Sequence, residues 1–480
     1  MAELKLLGRI DLDEYMQGRS VPVRKSGIFK LLSIECSFYN QAPIVFDFGK
    51  PLNEANSKGG YFSLLLGKNG VCKSSLLREL IEFFIDARRP NSRKKKTNVR
   101  IISVTYIING DTYYILNNDG FHYSKNGQDV RASQMIYPLI IASTMGMFDK
   151  FPVNSQAKSK NGRYDIEYYH YVGPKASNNM FTSKANVLLQ QLSALPSVKN
   201  ENQLELLGVL LEFIGYESTI VLRFEPKDQN YRLAAYKEHL SPGHENLYNE
   251  ICNGRNNFDM LLRKDGFDNV KQLPLHSLNY LRQNGYLKRF KCYFFKDGQE
   301  VDSDYLSSGE FNLLCIVMSV ILAADSRQLL LLLDEPEISQ HPNWQLDLIP
   351  NLEKALVDYG CHFLIATHCH FLVSNLPIGR SNVICMKRND NNQIEVESIP
   401  SDTYGWSAEE VLLKAFGVPT DRSRYLAQMV SDFLKEIGER SIDKAEVSKK
   451  ITFFKEMSQH LNSYDPMKKI LDTIIKEFAL

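Results

Sequence analysis

The chain has 480 residues, of which 44% are hydrophobic and 24% are charged, the balance of an ordinary globular protein. This composition excludes extended disorder and fibrous architectures, and at about 150 residues per domain the length allows about three domains. The 57 basic and 56 acidic side chains leave a net charge of +1. This balance excludes the class of uniformly basic proteins that coat nucleic acid.

The eight cysteines include no CxxC pair, which argues against a zinc ribbon and a disulfide scaffold. A reducing cytoplasm is the compartment that suits this pattern. The N-terminal residues lack the apolar core of a signal peptide, and the longest apolar run, Leu313 to Ala324, is too short to span a bilayer. We therefore expect a cytoplasmic protein without a membrane span.

The N-terminal part of the chain is predicted to alternate strands with one helix. Residues 29–48 read as two strands, and the short apolar run 61–66 precedes a glycine and indicates a buried strand. Helical spacing follows over 74–85, and 88–100 is a basic loop. Residues 99–117 are typical of a hairpin that turns at Asn109–Gly110–Asp111, and 137–143 is a further strand.

The character changes at about residue 150. Short helical patterns at 186–194, 202–215 and 243–263 predict an inserted helical subdomain. Strands are then expected at 287–297, 329–333, 361–366 and 382–387, with helices at 309–324 and 343–358 between them. This alternation predicts an α/β fold with a mostly parallel sheet, and 407–480 is expected to be helical.

The segment GKNGVCKSS, residues 67–75, lies between a predicted strand and a predicted helix. Glycines let backbone N–H groups wrap a phosphate, and a helix N-terminus adds a favourable dipole, so the segment indicates a P-loop. Lys73 is expected to reach the β- and γ-phosphates and Ser74 to hold Mg²⁺. The predicted nucleotide-binding residues are Gly67, Asn69, Gly70, Val71, Cys72, Lys73, Ser74 and Ser75.

The segment LLLLLDEPE, residues 329–337, combines a strand buried on both faces with two carboxylates at its C-terminal end. Parallel sheets place ligand sites at that end. We expect Asp334 to bind Mg²⁺, directly or through water, and Glu335 to orient the attacking water. Glu335 and Lys73 are therefore candidate catalytic residues.

Two shorter motifs accompany these segments. LSSGE, residues 306–310, opens a predicted helix and offers free N–H groups to an anion, although a plain helix cap would look the same. In LIATHCHFL, residues 364–372, a strand ends at Thr367–His368, and His368 is a third catalytic candidate that could contact the γ-phosphate.

These four motifs, in this order, resemble the ABC-type ATPase head shared by SMC, RecF and OLD-like proteins, over roughly residues 29–150 and 287–388. The resemblance implies ATP and Mg²⁺ as ligands, and a homodimer or higher oligomer whose two heads sandwich ATP. Ser307, Ser308, Gly309 and Glu310 would then act in trans. The implied division is an N-terminal lobe at 1–150, the helical insert at 151–286, a C-terminal lobe at 287–400 and a helical region at 401–480.

More narrowly, DEPEISQHPNWQ (334–345) together with TYGWSAEEVLLKAFGV (403–418) resembles the PtuA family, the ATPases of Septu and certain retron antiphage systems. That resemblance implies a separate HNH-type nuclease partner. In retron versions it also implies a reverse transcriptase and its RNA–DNA product. ATP turnover would restrain or license the nuclease in antiphage defence.

The chain departs from the pattern at two positions in these motifs, and the alternatives stay open. Cys72 stands where the P-loop has a glycine, and Gln340 stands where leucine is usual before His341. A DNA-repair or recombination ATPase of the RecF or SMC-like kind is one alternative, and a nucleotide-bound scaffold with negligible turnover is another. Arg88, Arg89, Arg93, Lys94, Lys95 and Lys96 are candidates for contact with the phosphate backbone of nucleic acid, or form a solvated loop.

Overall fold

The computed structural model describes most of the chain. The described residues are 29–39, 41–49, 60–89, 97–144, 146, 150–153, 168–177, 180–181, 183–192, 201–227, 240–323, 328–355, 360–399, 403–406, 410–411, 424–439, 443–461 and 466–478. They belong to two compact units, Met1–Trp406 and Ser407–Leu480. The finer division into four segments stays a prediction.

The elements follow one another in chain order. The strands are β1 (Phe29–Phe38), β2 (Ile44–Asp47), β3 (Tyr61–Gly67), β4 (Val99–Ile108), β5 (Asp111–Asn117), β6 (Phe121–Lys125), β7 (Gln128–Asp129), β8 (Leu139–Thr144), β9 (Tyr169–Val172), β10 (Lys175–Ser177), β11 (Met180–Phe181), β12 (Thr219–Pro226), β13 (Asn257–Leu261), β14 (Leu287–Lys296), β15 (Gln299–Asp302), β16 (Leu329–Asp334), β17 (Cys361–Thr367), β18 (Ser381–Arg388) and β19 (Ile394–Ser398). The helices are α1 (Lys73–Arg88), α2 (Lys184–Leu192), α3 (Glu201–Phe213), α4 (Pro242–Cys252), α5 (Phe267–Gln272), α6 (Leu275–Gln283), α7 (Ser308–Ala323), α8 (Pro342–Ala355), α9 (Arg424–Gly438), α10 (Lys444–His460) and α11 (Pro466–Phe478).

A seven-stranded sheet forms the centre of the first unit, in the order β19-β18-β3-β17-β16-β8-β9. All its neighbouring strands run parallel except the edge pair β18–β19. Strands β3, β16 and β17 are buried along their whole length, which explains their continuous apolar runs. The α/β class with a mostly parallel sheet, predicted from the sequence, is confirmed.

An antiparallel sheet in the order β2-β1-β4-β5-β6-β7 lies in the same unit. The predicted hairpin is confirmed, since β4 and β5 pair across Asn109 (φ 55°) and Gly110 (φ 87°), the left-handed conformations of a tight hairpin turn. One apolar core joins side chains from this sheet, α1 and the central sheet, among them Ile34, Leu80 and Leu364. Helix α1, which follows β3 in the chain, therefore packs in a core shared with both sheets.

Residues 151–286 differ from the helical prediction. The helices expected at 186–194 and 202–215 are present as α2 and α3. The helix expected over 243–263 is wrong beyond Cys252: Gly254 has φ 105°, which ends helix α4, and 257–261 is strand β13. Strands β12 and β13 pair with β14 and β15 in an antiparallel sheet. The described residues of this segment are therefore mixed α and β.

The second unit is helical in its described residues, as predicted. Helices α9, α10 and α11 share an apolar core that includes Phe433, Phe454 and Leu471. Asp443 caps the start of helix α10, because its side chain accepts a hydrogen bond from the backbone N–H of Glu446. Among the described residues of the whole chain, no helix combines the length and apolar character that crossing a bilayer requires.

Candidate functional site

The P-loop connects the end of β3 to the start of α1, as the motif predicts. Gly67 has φ 156°, and a Cβ at this position would lie 2.4 Å from the carbonyl oxygen of Met386 on the neighbouring strand β18. Only glycine fits so close to that backbone. The Lys73 ammonium donates a 2.7 Å hydrogen bond to the Gly67 carbonyl oxygen, so the lysine lies across the mouth of the loop.

Cys72 adopts the left-handed conformation that glycine favours. Its backbone has φ 71° and ψ 20°, and it precedes helix α1 without capping it through its side chain. A side chain in this region costs about 1–2 kcal/mol. The Sγ atom of Cys72 lies 3.3 Å from the Tyr39 hydroxyl. The chain therefore keeps the loop conformation of a glycine at this position despite the substitution.

Ser74 and Asp334 meet where β3 and β16 end. The Ser74 hydroxyl donates a 2.9 Å hydrogen bond to Oδ1 of Asp334, which is 7% exposed. A hydroxyl beside a carboxylate is an oxygen donor pair of the kind that Mg²⁺ prefers, and Mg²⁺ typically takes only one or two protein ligands. Among the described residues, no group of three or more His, Cys, Asp and Glu side chains could hold a metal ion. As a pair of oxygen ligands, Ser74 and Asp334 fit a Mg²⁺ ion that is bound together with a nucleotide.

Lys73, His368 and Glu335 converge at the same edge of the sheet. Nε2 of His368 lies 2.8 Å from Nζ of Lys73 and 3.3 Å from Oε1 of Glu335. One ring nitrogen carries either a proton or a lone pair, so it can accept from Lys73 or donate to Glu335, but not both at once. The arrangement thus allows two alternative hydrogen bonds. If a phosphate drew Lys73 away, His368 would be able to donate to Glu335.

The pKa values of two of these residues depart from their ordinary values. Burial lowers the pKa of Lys73 to about 8, against the attraction of Glu335, Asp334 and Glu337. The hydrogen bond from His368 lowers the pKa of the Glu335 carboxyl, with the positive charges of His368 and Lys73 acting the same way. Glu335 is consequently a carboxylate at neutral pH, the form that can accept a proton from water.

The loop after Asp334 is strained and anchored. Glu335 has φ 50° and Ser339 has φ 61°, both in the left-handed region. The Asn312 amide on helix α7 donates to the carbonyl oxygens of Pro336 (2.7 Å) and Ile338 (3.2 Å). Strain of this kind persists only where the surroundings enforce it. Sequence reasoning did not single out Asn312, because its role depends on a partner 24 residues away.

The LSSGE segment forms the start of helix α7 and closes on itself. The Ser307 hydroxyl accepts from the backbone N–H of Glu310 (3.2 Å), and the Glu310 carboxylate accepts from the backbone N–H of Ser307 (2.7 Å). This reciprocal pair is a capping box. A Cβ on Gly309 would lie 2.6 Å from the carbonyl oxygen of Ser339. The structure therefore joins LSSGE to the loop after Asp334, and does so within one chain.

Three residues that the sequence did not point to lie beside the P-loop. Tyr39 is 50% exposed, and the Arg388 guanidinium lies 5.4 Å from its ring centroid and donates a 2.9 Å hydrogen bond to the Gly70 carbonyl oxygen. Lys150 donates a 3.0 Å hydrogen bond to the Ser75 hydroxyl. These side chains come from separate loops and strands, so no local pattern identifies them.

The basic cluster at 88–96 is only partly described. The Arg88 guanidinium lies over the rings of Tyr168 (4.1 Å) and Tyr137 (4.8 Å) and donates to the Pro138 carbonyl oxygen, so this arginine packs within the protein. Arg89 is exposed. Arg93, Lys94, Lys95 and Lys96 lie outside the described residues, and their contact with nucleic acid stays a prediction.

Comparison with known proteins identifies an ATPase family. A family model described as an AAA ATPase domain matches residues 51–373. A curated relative, the Septu protein PtuA of Bacillus thuringiensis, is 23% identical over 195 residues, which is 38% of this chain and 47% of the relative. The match thus spans about half the length of that curated relative.

Solved structures with some similarity are SMC heads. One is the SMC head bound to the C-winged helix domain of ScpA (10% identity, TM-score 0.33, covering 77% of this chain and 97% of that one). A second, from Pyrococcus furiosus, is the head with an extended coiled coil bound to the C-terminal domain of ScpA (12% identity, TM-score 0.34, covering 78% of this chain and 96% of that one). A third is the head domain from Thermotoga maritima (11% identity, TM-score 0.35, covering 77% of this chain and 99% of that one).

Proposed function

The chain belongs to the AAA ATPase domain family, and from this premise we propose that it binds ATP at the P-loop and hydrolyses the β–γ phosphate bond. The observation that carries the proposal is the convergence of Lys73 and Ser74 with Asp334, Glu335 and His368 at one edge of the central sheet. Lys73 and Ser74 begin helix α1, Asp334 ends β16, and Glu335 and His368 directly follow β16 and β17, whose carboxyl ends lie beside that of β3.

The chain's own groups divide the work of hydrolysis. Water attacks the γ-phosphorus, the bond to the bridging oxygen breaks with its electron pair going to ADP, and the water's proton leaves with the phosphate or the solvent. Glu335, ionised at neutral pH, accepts a hydrogen bond from the water and orients it. Lys73 balances the negative charge of the phosphates, and His368 contacts Glu335 once Lys73 has turned to the nucleotide.

Mg²⁺ fits this site through the Ser74 hydroxyl and the Asp334 carboxylate. When bound, it would neutralise charge on the β- and γ-phosphates. The 2.9 Å hydrogen bond between the two side chains keeps both oxygens together where α1 begins and β16 ends, available to a shared ligand.

We propose that two copies of the chain, or more, complete the site. In one chain the hydrogen bonds of Ser307 and Glu310 close their own turn or reach Tyr216, and the segment packs near Ser339. The N–H groups at the start of helix α7 remain suited to an anion. The LSSGE segment of a second copy would therefore cap the γ-phosphate from the other side.

The first test measures phosphate release by the purified chain with MgATP, beside the variant Lys73→Ala. We expect turnover in the native chain and its loss in the variant. Nucleotide binding without any turnover would instead support the scaffold alternative. Static light scattering with ATP tests the second copy, and a mass that stays monomeric in saturating ATP would contradict the shared site.

We further propose that this ATPase serves antiphage defence by controlling a separate HNH-type nuclease. The support is the similarity to a Septu protein and the resemblance of residues 334–345 and 403–418 to the PtuA family. A reverse transcriptase and its RNA–DNA product would join the complex if the system is of the retron kind.

Affinity purification of the tagged chain from its native cells tests this role. An HNH nuclease that co-purifies in fixed proportion would support it. ATP turnover that is stimulated by DNA, with no nuclease in the complex, would favour the DNA-repair alternative instead.

A further inference from the structure

Glu337, the second glutamate of the DEPE segment, contacts the end of the neighbouring strand β17. Its Oε1 accepts two hydrogen bonds, from the Thr367 hydroxyl (2.7 Å) and from the backbone N–H of His368 (2.8 Å). Thr367 in turn accepts through the same hydroxyl from the backbone N–H of Cys369 (2.9 Å). One carboxylate oxygen thus organises the chain where β17 ends.

One of these bonds holds the backbone from which the His368 ring extends. The side chain of His368 starts from the backbone that Glu337 holds, and it brings Nε2 to 3.3 Å from Glu335 and 2.8 Å from Lys73. Glu337 is itself held, because its carbonyl oxygen accepts from the backbone N–H of Gln340 (3.1 Å) and from the Gln345 amide (3.3 Å). The loop after β16 and the end of β17 are thereby connected through a single side chain.

The other oxygen of Glu337 is buried and has no hydrogen-bond partner among the described residues. A carboxylate in this setting lowers the stability of the fold, because burying an uncompensated charge is unfavourable. Simple packing would be served as well by a neutral side chain. A carboxylate at Glu337 is therefore better explained by its hydrogen bonds to Thr367 and His368 than by a gain in stability.

We propose that Glu337 is a positioning residue for ATP hydrolysis, which holds His368 beside Glu335 without touching the nucleotide. This inference rests on the proposed ATPase function. A displacement of about 1 Å at a reacting centre can lower a rate about 100-fold. Loss of Glu337 should therefore lower kcat, while ATP binding by the P-loop is retained.

The test compares Glu337→Ala with Glu337→Gln in the full-length chain. The alanine removes the acceptor of both hydrogen bonds, and the glutamine keeps a carbonyl oxygen that can accept them. We expect kcat to fall about 10- to 100-fold in Glu337→Ala, to recover to within about fivefold of the native value in Glu337→Gln, and KM for MgATP to stay within about threefold in both. Titration with a fluorescent ATP analogue counts the folded sites in each sample.

A cycle with His368→Ala separates positioning from a general structural role. If Glu337 acts through His368, then Glu337→Ala lowers kcat no further in the His368→Ala background. Equal fold-losses in both backgrounds, or a native kcat per folded site in Glu337→Ala, would overturn the proposal. If Glu337→Ala binds no nucleotide because it does not fold, Glu337→Asp, which keeps the charge and withdraws the oxygens, replaces it in the same cycle. A native chain with no turnover would instead refute the ATPase function itself.

Discussion

The hydroxyl of Ser74 donates a 2.9 Å hydrogen bond to Oδ1 of Asp334, although 260 residues separate the two in the chain. Asp334 ends strand β16, and Ser74 lies in the first turn of helix α1, which follows β3. Strand β17 lies between β3 and β16, and the registers place the ends of all three strands at one edge of the sheet. The fold thus brings together the residues of the proposed ATP site, which are remote in sequence, and it leaves a pair of oxygens where Mg²⁺ would fit.

Asp334→Asn tests this pair. The amide keeps an oxygen that can accept from Ser74 but removes the negative charge, so we expect kcat with MgATP to fall about 100-fold or more. Binding of a fluorescent ATP analogue in EDTA should match that of the native chain. Asp347→Asn, which changes an exposed carboxylate on helix α8, is the matched control and should leave both quantities unchanged. A loss of binding in EDTA would show that Asp334 acts on the fold rather than on the metal.

The pKa of Lys73 predicts how ATP affinity depends on pH. Burial lowers that pKa to about 8 in the free protein, whereas anionic phosphates favour the charged ammonium. Above pH 8 binding must therefore take up a proton, and affinity falls as pH rises. We expect the Kd for MgATP to be about tenfold higher at pH 9 than at pH 7, measured by isothermal titration calorimetry. The enthalpy at pH 9 should depend on the ionisation enthalpy of the buffer.

Lys73→Arg is the control for this titration. A guanidinium keeps its charge throughout this range, so the variant, although it binds less well, should show no dependence on pH between 7 and 9. A native Kd that is constant over the same range would mean that Lys73 is already charged in the free protein.

Cys72→Gly tests the backbone of the P-loop. Because Cys72 has φ 71°, glycine should relieve the left-handed strain, partly offset by the greater freedom of glycine in the unfolded chain. We expect the free energy of unfolding to rise by about 0.5–1 kcal/mol, measured by urea denaturation. Cys72→Ala keeps the Cβ and should not show this gain. Equal gains in both variants would attribute the effect to the thiol and not to the backbone.

Gly309→Ala tests the contact between LSSGE and the loop after Asp334. The added Cβ would lie 2.6 Å from the Ser339 carbonyl oxygen and 3.2 Å from the Trp344 ring, so the start of helix α7 must move away. We expect a destabilisation of about 1–3 kcal/mol and a lower kcat. Gly243→Ala, on helix α4 with nothing within 4 Å of the new Cβ, is the control and should be neutral or stabilising. A native unfolding curve for Gly309→Ala would contradict the close packing.

Local patterns predicted the elements that carry the site, and distant pairings escaped them. The P-loop, LSSGE and DEPE segments are recognisable in the sequence because each motif is contiguous, and the family match over residues 51–373 confirms an ATPase domain. The contacts of Glu337 with Thr367 and of Asn312 with Pro336 depend on how the strands and helices are arranged, which no short segment encodes. Strand β12 contains the short apolar run Ile220 to Leu222, and a run of this length does not distinguish a strand from a buried helical segment.

The basic cluster shows a different limit of the sequence. Its composition is compatible with nucleic-acid contact and with a solvated loop alike. Arg88 fits neither of these two roles, since its guanidinium stacks on the rings of Tyr137 and Tyr168. Long cationic side chains serve packing and binding equally well, so composition alone could not separate Arg88 from its neighbours.

The most direct test of the central claim is to follow the fate of ATP on Glu335→Gln. The variant and the native chain are incubated with MgATP, desalted, and their bound nucleotide is identified by chromatography while phosphate release is recorded. We expect phosphate release by the native chain, release at least about 100-fold slower in the variant, and ATP rather than ADP retained by the variant. Native rates in Glu335→Gln, or no turnover in the native chain, would contradict Glu335 as the residue that orients the attacking water.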